Sequence, residues 1–390
     1  MKKVLLVTTV SGFVPQFEMN NVKILQSLGA EVHYAANYNT PSYGDDNSRL
    51  DGTEIIRHQI DFVRSPFKAA NFTAYAQLKE LMEKEKFDMV HCHTPMGAVM
   101  ARLAAHATGT QPVIYTAHGF HFFKGAPLRN WLFYYPVEKI LSKYTQDQIC
   151  INQEDYNLAK KKFYADYVDY IPGVGIDLTN VNLFVEQREK YRNEKRAELS
   201  ITKNCIVILS VGELIKRKNH STIIRMIAER KDKRLLYVIA GHGELERELK
   251  NLAKELHIEE QILFLGYCKD IYRVYLMADL FIFPSYQEGL PRALLEAMAC
   301  ALPVICSDIR GSRDLLKTGD TIFEKNMIIC PGGILVNRPD DWQLYNNALD
   351  YMLERHVEWE NMGRENKDRT KEFEISQVGE IMESIYKRWI

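Results

Sequence analysis

Phe281-Ile-Phe-Pro-Ser-Tyr-Gln-Glu288-Gly-Leu-Pro-Arg-Ala-Leu-Leu-Glu296-Ala-Met-Ala299 reads as an apolar strand, a tight turn and the start of a helix. A strand that passes through Gly289-Leu290-Pro291 into a helix makes an anion site, because unpaired N–H groups and the helix dipole converge there. Two carboxylates bracket the turn, Glu288 within it and Glu296 in the second turn of the helix. Such a site can hold a phosphate between two hydroxyl-binding carboxylates, which is the shape of a nucleotide sugar. A plainer reading stands beside it: Glu296 lies four residues after Arg292, the spacing of a helix-surface ion pair, and Glu288 is then a solvated turn residue.

Outward from this stretch, short apolar runs alternate with longer amphipathic ones. The first half carries strand-like runs at Val4–Thr8, Glu31–Ala36, Met89–His93, Val113–Ala117 and Gln148–Asn152, with helical spacing at Asn20–Leu28, Thr73–Lys84 and Gly97–Ala107. The second half restarts the pattern at Ile206–Val211, Leu235–Ala240, Ile262–Gly266, Leu280–Pro284, Val304–Ser307 and Ile328–Ile329. Alternation of this kind predicts an α/β fold of two doubly wound parallel sheets, with a charged segment, Val185–Ser200, between the two series. Ligands of such sheets collect at the strands' carboxyl ends, so the active site is expected in a cleft between two facing domains. The expected boundaries are 1–175, 176–370 and 371–390, the last a terminal helix packing back on the N-terminal domain.

Composition agrees with two domains. A chain of 390 residues exceeds one typical domain. Its net charge of −1 gives no reason to expect nucleic acid. The opening Met1–Thr9 lacks the apolar stretch and cleavage site of a secretory signal, and no run approaches the ~20 apolar residues of a membrane span. The seven cysteines (Cys92, Cys150, Cys205, Cys268, Cys300, Cys306, Cys330) form no Cys-x-x-Cys pair and read as buried reduced thiols. The expected location is cytoplasmic.

Other polar turns follow the apolar runs. Gly12, after Val4–Thr8, would let a ligand approach the backbone. His118 follows Val113–Ala117 beside Gly119 and can act at neutral pH, although a structural histidine is the simpler reading of the bare residue. Gly212-Glu213-Leu-Ile-Lys216-Arg217-Lys218 puts three cations after a strand, where one can neutralise a diphosphate. Gly241-His-Gly243-Glu244 ends another strand without completing Gly-x-Gly-x-x-Gly, since Glu246 occupies the third position. No Asp-x-Asp pair sits at a strand end, so no carboxylate platform for a diphosphate-bound metal is expected.

Together these pieces resemble the family 4 glycosyltransferases of the GT-B fold, over nearly the whole chain. The resemblance rests on Val211–Leu214 with Lys218-Asn219, Gly241–Glu244, Pro284-Ser285 leading to Glu288-x7-Glu296, and Ile171–Asp177. Thr116-Ala-His-Gly-Phe-His-Phe-Phe123 looks like the exopolysaccharide and capsule branch. The resemblance implies that Glu288 bonds hydroxyls of the donor sugar and Glu296 those of the ribose. Lys218, with amides at Gly289 and Leu290, would bind the diphosphate, and His118 the sugar or its phosphate; Gly12, Gly212, Gly241 and Gly243 would line the donor. It further implies retention of configuration, no metal or other cofactor, a UDP-sugar donor, and front-face displacement in which the leaving phosphate helps deprotonate the acceptor. Many members carry arginine where this chain has Glu213, so one expected cation is absent, with Lys216 or Arg217 as substitutes or Glu213 orienting Lys218.

The acceptor implied is an undecaprenyl-diphosphate-linked saccharide. Phe120–Tyr135 is unusually aromatic with interleaved cations: either a packed loop and helix, or a surface for peripheral contact with the inner face of the cytoplasmic membrane. Two rival functions are a UDP-sugar 2-epimerase of the same fold and a non-catalytic nucleotide-sugar-binding protein.

Overall fold

The computed structural model describes residues 1–43, 47–66, 68–316, 319, 321–324 and 326–390. Every apolar run named above supplies a strand. The first sheet contains β1 (Lys2–Val10), β2 (Ala30–Asn37), β3 (Ile56–Gln59), β4 (Met89–Cys92), β5 (Val113–Ala117), β6 (Asp147–Cys150) and β7 (Tyr167–Tyr170). Their order is β3-β2-β1-β4-β5-β6-β7, and every pairing is parallel. Central strands covered on both faces need no polar alternation, which is why Val4–Val10 is buried throughout. The two edge strands, β3 and β7, are partly exposed and polar, and show no apolar run in the sequence.

The second sheet contains β8 (Ile206–Val211), β9 (Leu235–Ala240), β10 (Ile262–Gly266), β11 (Leu280–Phe283), β12 (Val304–Ser307), β13 (Ile322–Glu324), β14 (Met327–Cys330) and β15 (Gly333–Val336). Their order is β10-β9-β8-β11-β12-β15-β14-β13. The sheet is parallel from β10 to β15, as expected, and departs from this at one edge, where β14 runs antiparallel to both β13 and β15. Only Pro331 and Gly332 join β14 to β15, too few residues for the crossover that a parallel pair requires.

The chain divides into two compact units, Met1–Gly175 with Ile375–Ile390, and Ile176–Glu374. The charged segment 185–200 is no linker. It forms the helix Arg188–Glu198 inside the second unit, where Arg196 Nη2 bonds Asp279 Oδ2 at 2.7 Å and Arg196 Nε donates to the Met277 carbonyl at 2.8 Å. The terminal helix, Ile375–Lys387, starts later than residue 371, because Phe373 is buried in the core of the second unit. Its buried face, Val378, Met382, Ile385 and Tyr386, belongs to the first unit and packs on the helix Met19–Ser27. All seven cysteines are free thiols.

In each sheet the strand order reverses beside the first strand of its unit, between β1 and β4 and between β8 and β11. Loops leaving those carboxyl ends are where a doubly wound sheet receives its ligand.

Candidate active site

At the reversal in the second sheet, the loops after β8 and β11 are locked together by Arg217, Lys218 and Glu288. Lys218 Nζ lies 2.8 Å from Glu288 Oε1, and Arg217 Nη1 lies 2.6 Å from the same oxygen. Arg217 also donates to the Gln287 carbonyl at 2.9 Å, while the Tyr286 N–H donates to the Arg217 carbonyl at 2.9 Å. The next residue, Asn219, turns the chain in a left-handed conformation and donates to the Pro284 carbonyl at 3.1 Å. The Lys218 ammonium stands 4.9 Å from the centroid of the Phe283 ring.

Burial would raise the Glu288 pKa, but Lys218 and Arg217 outweigh it and hold the carboxyl below its ordinary range. Two cations against one carboxylate leave the cluster with one net positive charge. Glu288 Oε2 has no partner among the described residues, nor do the N–H groups of Gly289 and Leu290. The turn therefore offers cations, free amide donors and a free carboxylate oxygen together.

Glu296 forms the ion pair of its plainer reading, but in a buried setting and not on an exposed helix surface. It is buried on the helix Arg292–Ala299, and Arg292 Nε bonds its Oε1 at 2.9 Å, the ion pair its spacing predicts. Its other oxygen accepts the Tyr275 hydroxyl at 3.0 Å.

Glu213 is exposed and has no side-chain partner among the described residues, so it does not orient Lys218. Of the two substitutes, Arg217 is the cation that reaches Glu288. Gly241 and Gly243 serve the loops themselves. A Cβ on Gly241 would lie 1.9 Å from the Gly212 carbonyl oxygen, and one on Gly243 2.6 Å from that of Leu214. The room beside both glycines is filled by the chain's own backbone, not left open for a ligand.

At the reversal in the first sheet, Gly12 is buried and donates its N–H to the Pro41 carbonyl at 2.9 Å. His118, just past β5, belongs to a cluster not anticipated from the sequence. His118 Nε2 lies 3.1 Å from His93 Nδ1 and 3.4 Å from Glu18 Oε1, and His93 Nδ1 lies 3.6 Å from that same oxygen. His93 follows β4, and Glu18 ends a short helical turn, Val14–Glu18. Asn21 Nδ2 donates to the other oxygen, Glu18 Oε2, at 2.5 Å. Glu18 and His93 are fully enclosed, whereas His118 keeps 21% of its side chain exposed.

Glu18 Oε1 and His93 Nε2 find no hydrogen-bond partner among the described residues. Burial pushes the Glu18 carboxyl up to about 8 and lowers His118 to about 4; His93 falls well below its ordinary value for the same cause. Behind them, His91 bonds Tyr386 Oη and Thr116 Oγ1, both at 2.8 Å, which ties the terminal helix to the sheet. The signal for His93 was present in His91-Cys-His93, two like residues alternating at a strand end. Glu18 had none, because only the fold brings it beside them.

Two doubly wound α/β units with polar loops at the sheet reversals form the architecture of the GT-B sugar-transferring enzymes. Residues 191–369 match the family "Glycosyl transferases group 1" and residues 3–153 match "Glycosyl transferase 4-like". A Bacillus subtilis protein named "Putative glycosyltransferase EpsD" is 33% identical, over 100% of this chain and 97% of its own length. The Escherichia coli UDP-Gal:alpha-D-GlcNAc-diphosphoundecaprenol alpha-1,3-galactosyltransferase is 30% identical over 70% of each chain. Among solved structures, Anabaena HepE in complex with UDP superposes with a TM-score of 0.75 at 17% identity, over 100% of both chains. The chain belongs to the glycosyltransferases of the GT-B fold.

Proposed function

We propose that this glycosyltransferase is a retaining, metal-independent member of family 4. It moves a sugar from a UDP-sugar to a polyprenyl-diphosphate-linked saccharide in surface polysaccharide synthesis, with N-acetylhexosamines the first donors to test. The observation that carries the reading is the Arg217–Lys218–Glu288 cluster at the sheet reversal. Lys218 and Arg217 take the diphosphate of the donor, together with the amides of Gly289 and Leu290, so its charge is offset without a metal. Glu288 stays ionised beside the two cations and offers Oε2 to hydroxyls of the sugar. Glu296, held by Arg292 and Tyr275, takes the ribose. Transfer is then positioning plus stabilisation of the leaving diphosphate.

The acceptor reading draws on the relatives. The names of the galactosyltransferase above and of a Campylobacter jejuni N-acetylgalactosaminyltransferase, 36% identical over 44% of each chain, both specify undecaprenyl-linked diphospho-saccharides. It also draws on the helix Leu128–Leu141. Trp131 and Tyr135 pack inward beside the buried Phe122, while Leu128, Leu132, Phe133, Val137 and Ile140 are exposed. An exposed apolar stripe with Lys124 and Arg129 nearby suits a surface that meets lipid head groups. No helix among the described residues is long and apolar enough to cross a membrane.

The test is incubation with a panel of UDP-sugars, a polyprenyl-diphosphate-saccharide acceptor and EDTA, with the product anomer read by NMR. Transfer with retained configuration, undiminished by the chelator, is expected. Sugar interconversion without an acceptor, or binding without turnover, would overturn the reading.

A further inference from the structure

We infer that Glu18, His93 and His118 form a binding site for one borderline divalent cation of the Zn2+, Co2+ and Ni2+ class. Three atoms converge, each from a different loop of the first unit: Glu18 Oε1, His93 Nδ1 and His118 Nε2. Their separations are 3.1, 3.4 and 3.6 Å. Ligands at 2.0–2.1 Å from a tetrahedral ion lie about 1.63 times that distance apart, or ~3.3–3.4 Å. One position therefore lies at bonding distance from all three atoms, with no movement of the backbone required.

A second observation points the same way. Glu18 Oε1 is buried and accepts no hydrogen bond among the described residues, although its partner oxygen is held by Asn21. A buried polar oxygen with no hydrogen-bond partner is costly unless something engages it. The Asn21 amide acts as the outer support that fixes a ligating carboxylate. Three protein ligands leave the fourth position of a tetrahedral ion to water, the arrangement of two histidines and one glutamate found in open zinc sites. His118 is the one of the three whose side chain is partly exposed. Two nitrogens among three ligands favour the borderline metals over Mg2+, which prefers oxygen and retains its water.

The ion is not a cofactor of the transfer proposed above, whose diphosphate is met by Arg217 and Lys218 in the other unit. Bound metal instead occupies His118 Nε2, so a loaded site withholds that nitrogen from any other ligand.

Cobalt titration of the chelator-treated full-length protein tests this with no assay of activity. One Co2+ per chain is expected, with the visible bands of a four-coordinate ion, no thiolate charge-transfer band, and displacement by Zn2+ but not by Mg2+. Glu18→Gln, nearly isosteric, should weaken binding about tenfold or more while circular dichroism stays native. His118→Ala, at the exposed ligand, should do the same even if a buried substitution misfolds. No cobalt binding, thiolate-dominated spectra, or equal affinity in folded Glu18→Gln and His118→Ala would overturn the site.

Discussion

Glu288 is held by two cations through a single oxygen, and this sets what its replacement should do. Glu288→Ala and Lys218→Ala should each lower turnover about 100-fold or more, as removal of a transition-state contact does, while melting curves show an intact second unit. Arg217→Ala should raise the Km for donor more than it lowers kcat, since Lys218 remains against the phosphate. Steady-state kinetics on the three variants separates these outcomes. His220, two residues past Lys218, bonds the buried Tyr237 hydroxyl at 3.0 Å. Burial, with Lys218 nearby, lowers its pKa to about 3. A histidine kept neutral in the fold but protonated once unfolded favours the folded state at high pH. That advantage shrinks as pH falls from ordinary histidine values towards about 3. Denaturant titrations should therefore show a shallower loss of stability over this window in His220→Asn. Gly241→Ala drives a Cβ into the Gly212 carbonyl and should cost at least about 2 kcal/mol, seen as a lowered melting temperature.

Elements differ in how legible they were. Val4–Val10 and Leu280–Phe283 are central strands, and their continuous apolar character is a direct result of burial on both faces. The edge strand Tyr167–Tyr170 gains its place from pairing with β6 alone, which leaves no periodic trace. The antiparallel β14 was invisible as to direction, because an apolar pair, Ile328-Ile329, carries no orientation; only the two-residue connection does. The Lys218 turn and the Glu288 turn were both readable as strand ends. Their mutual ion pair was not, because it joins loops 70 residues apart. The aromatic segment 120–135 divided between its two readings, with Phe122 buried and Phe133 exposed. Burying Leu132 and Phe133 in lipid is worth about 1.5–3 kcal/mol each. Leu132→Glu with Phe133→Glu should therefore cut co-sedimentation with anionic liposomes at least tenfold. Unchanged sedimentation of the folded double variant would remove the membrane surface from the proposal.

At the scale of the molecule, the second unit is an insertion in the first. The chain leaves at Gly175 and returns at Ile375, and the Ile176 N–H donates to the Phe373 carbonyl at 2.9 Å where the two passages lie side by side. The returning helix is anchored by Tyr386 to His91, and by Arg388 and Trp389 to Asp147. A chain ending at Glu374 should lose amide-exchange protection in β1, β4 and the helix Met19–Ser27, while β8, β9 and β11 keep theirs. The same connection dictates an order of assembly during synthesis. Residues 1–175 leave the ribosome first, yet they wait for all of 176–374 to follow before the helix that seals His91 arrives. The unit that holds residues 1–175 is therefore completed only after the inserted one, and its helix Met19–Ser27 stays without its packing partner for as long as the inserted unit takes to make.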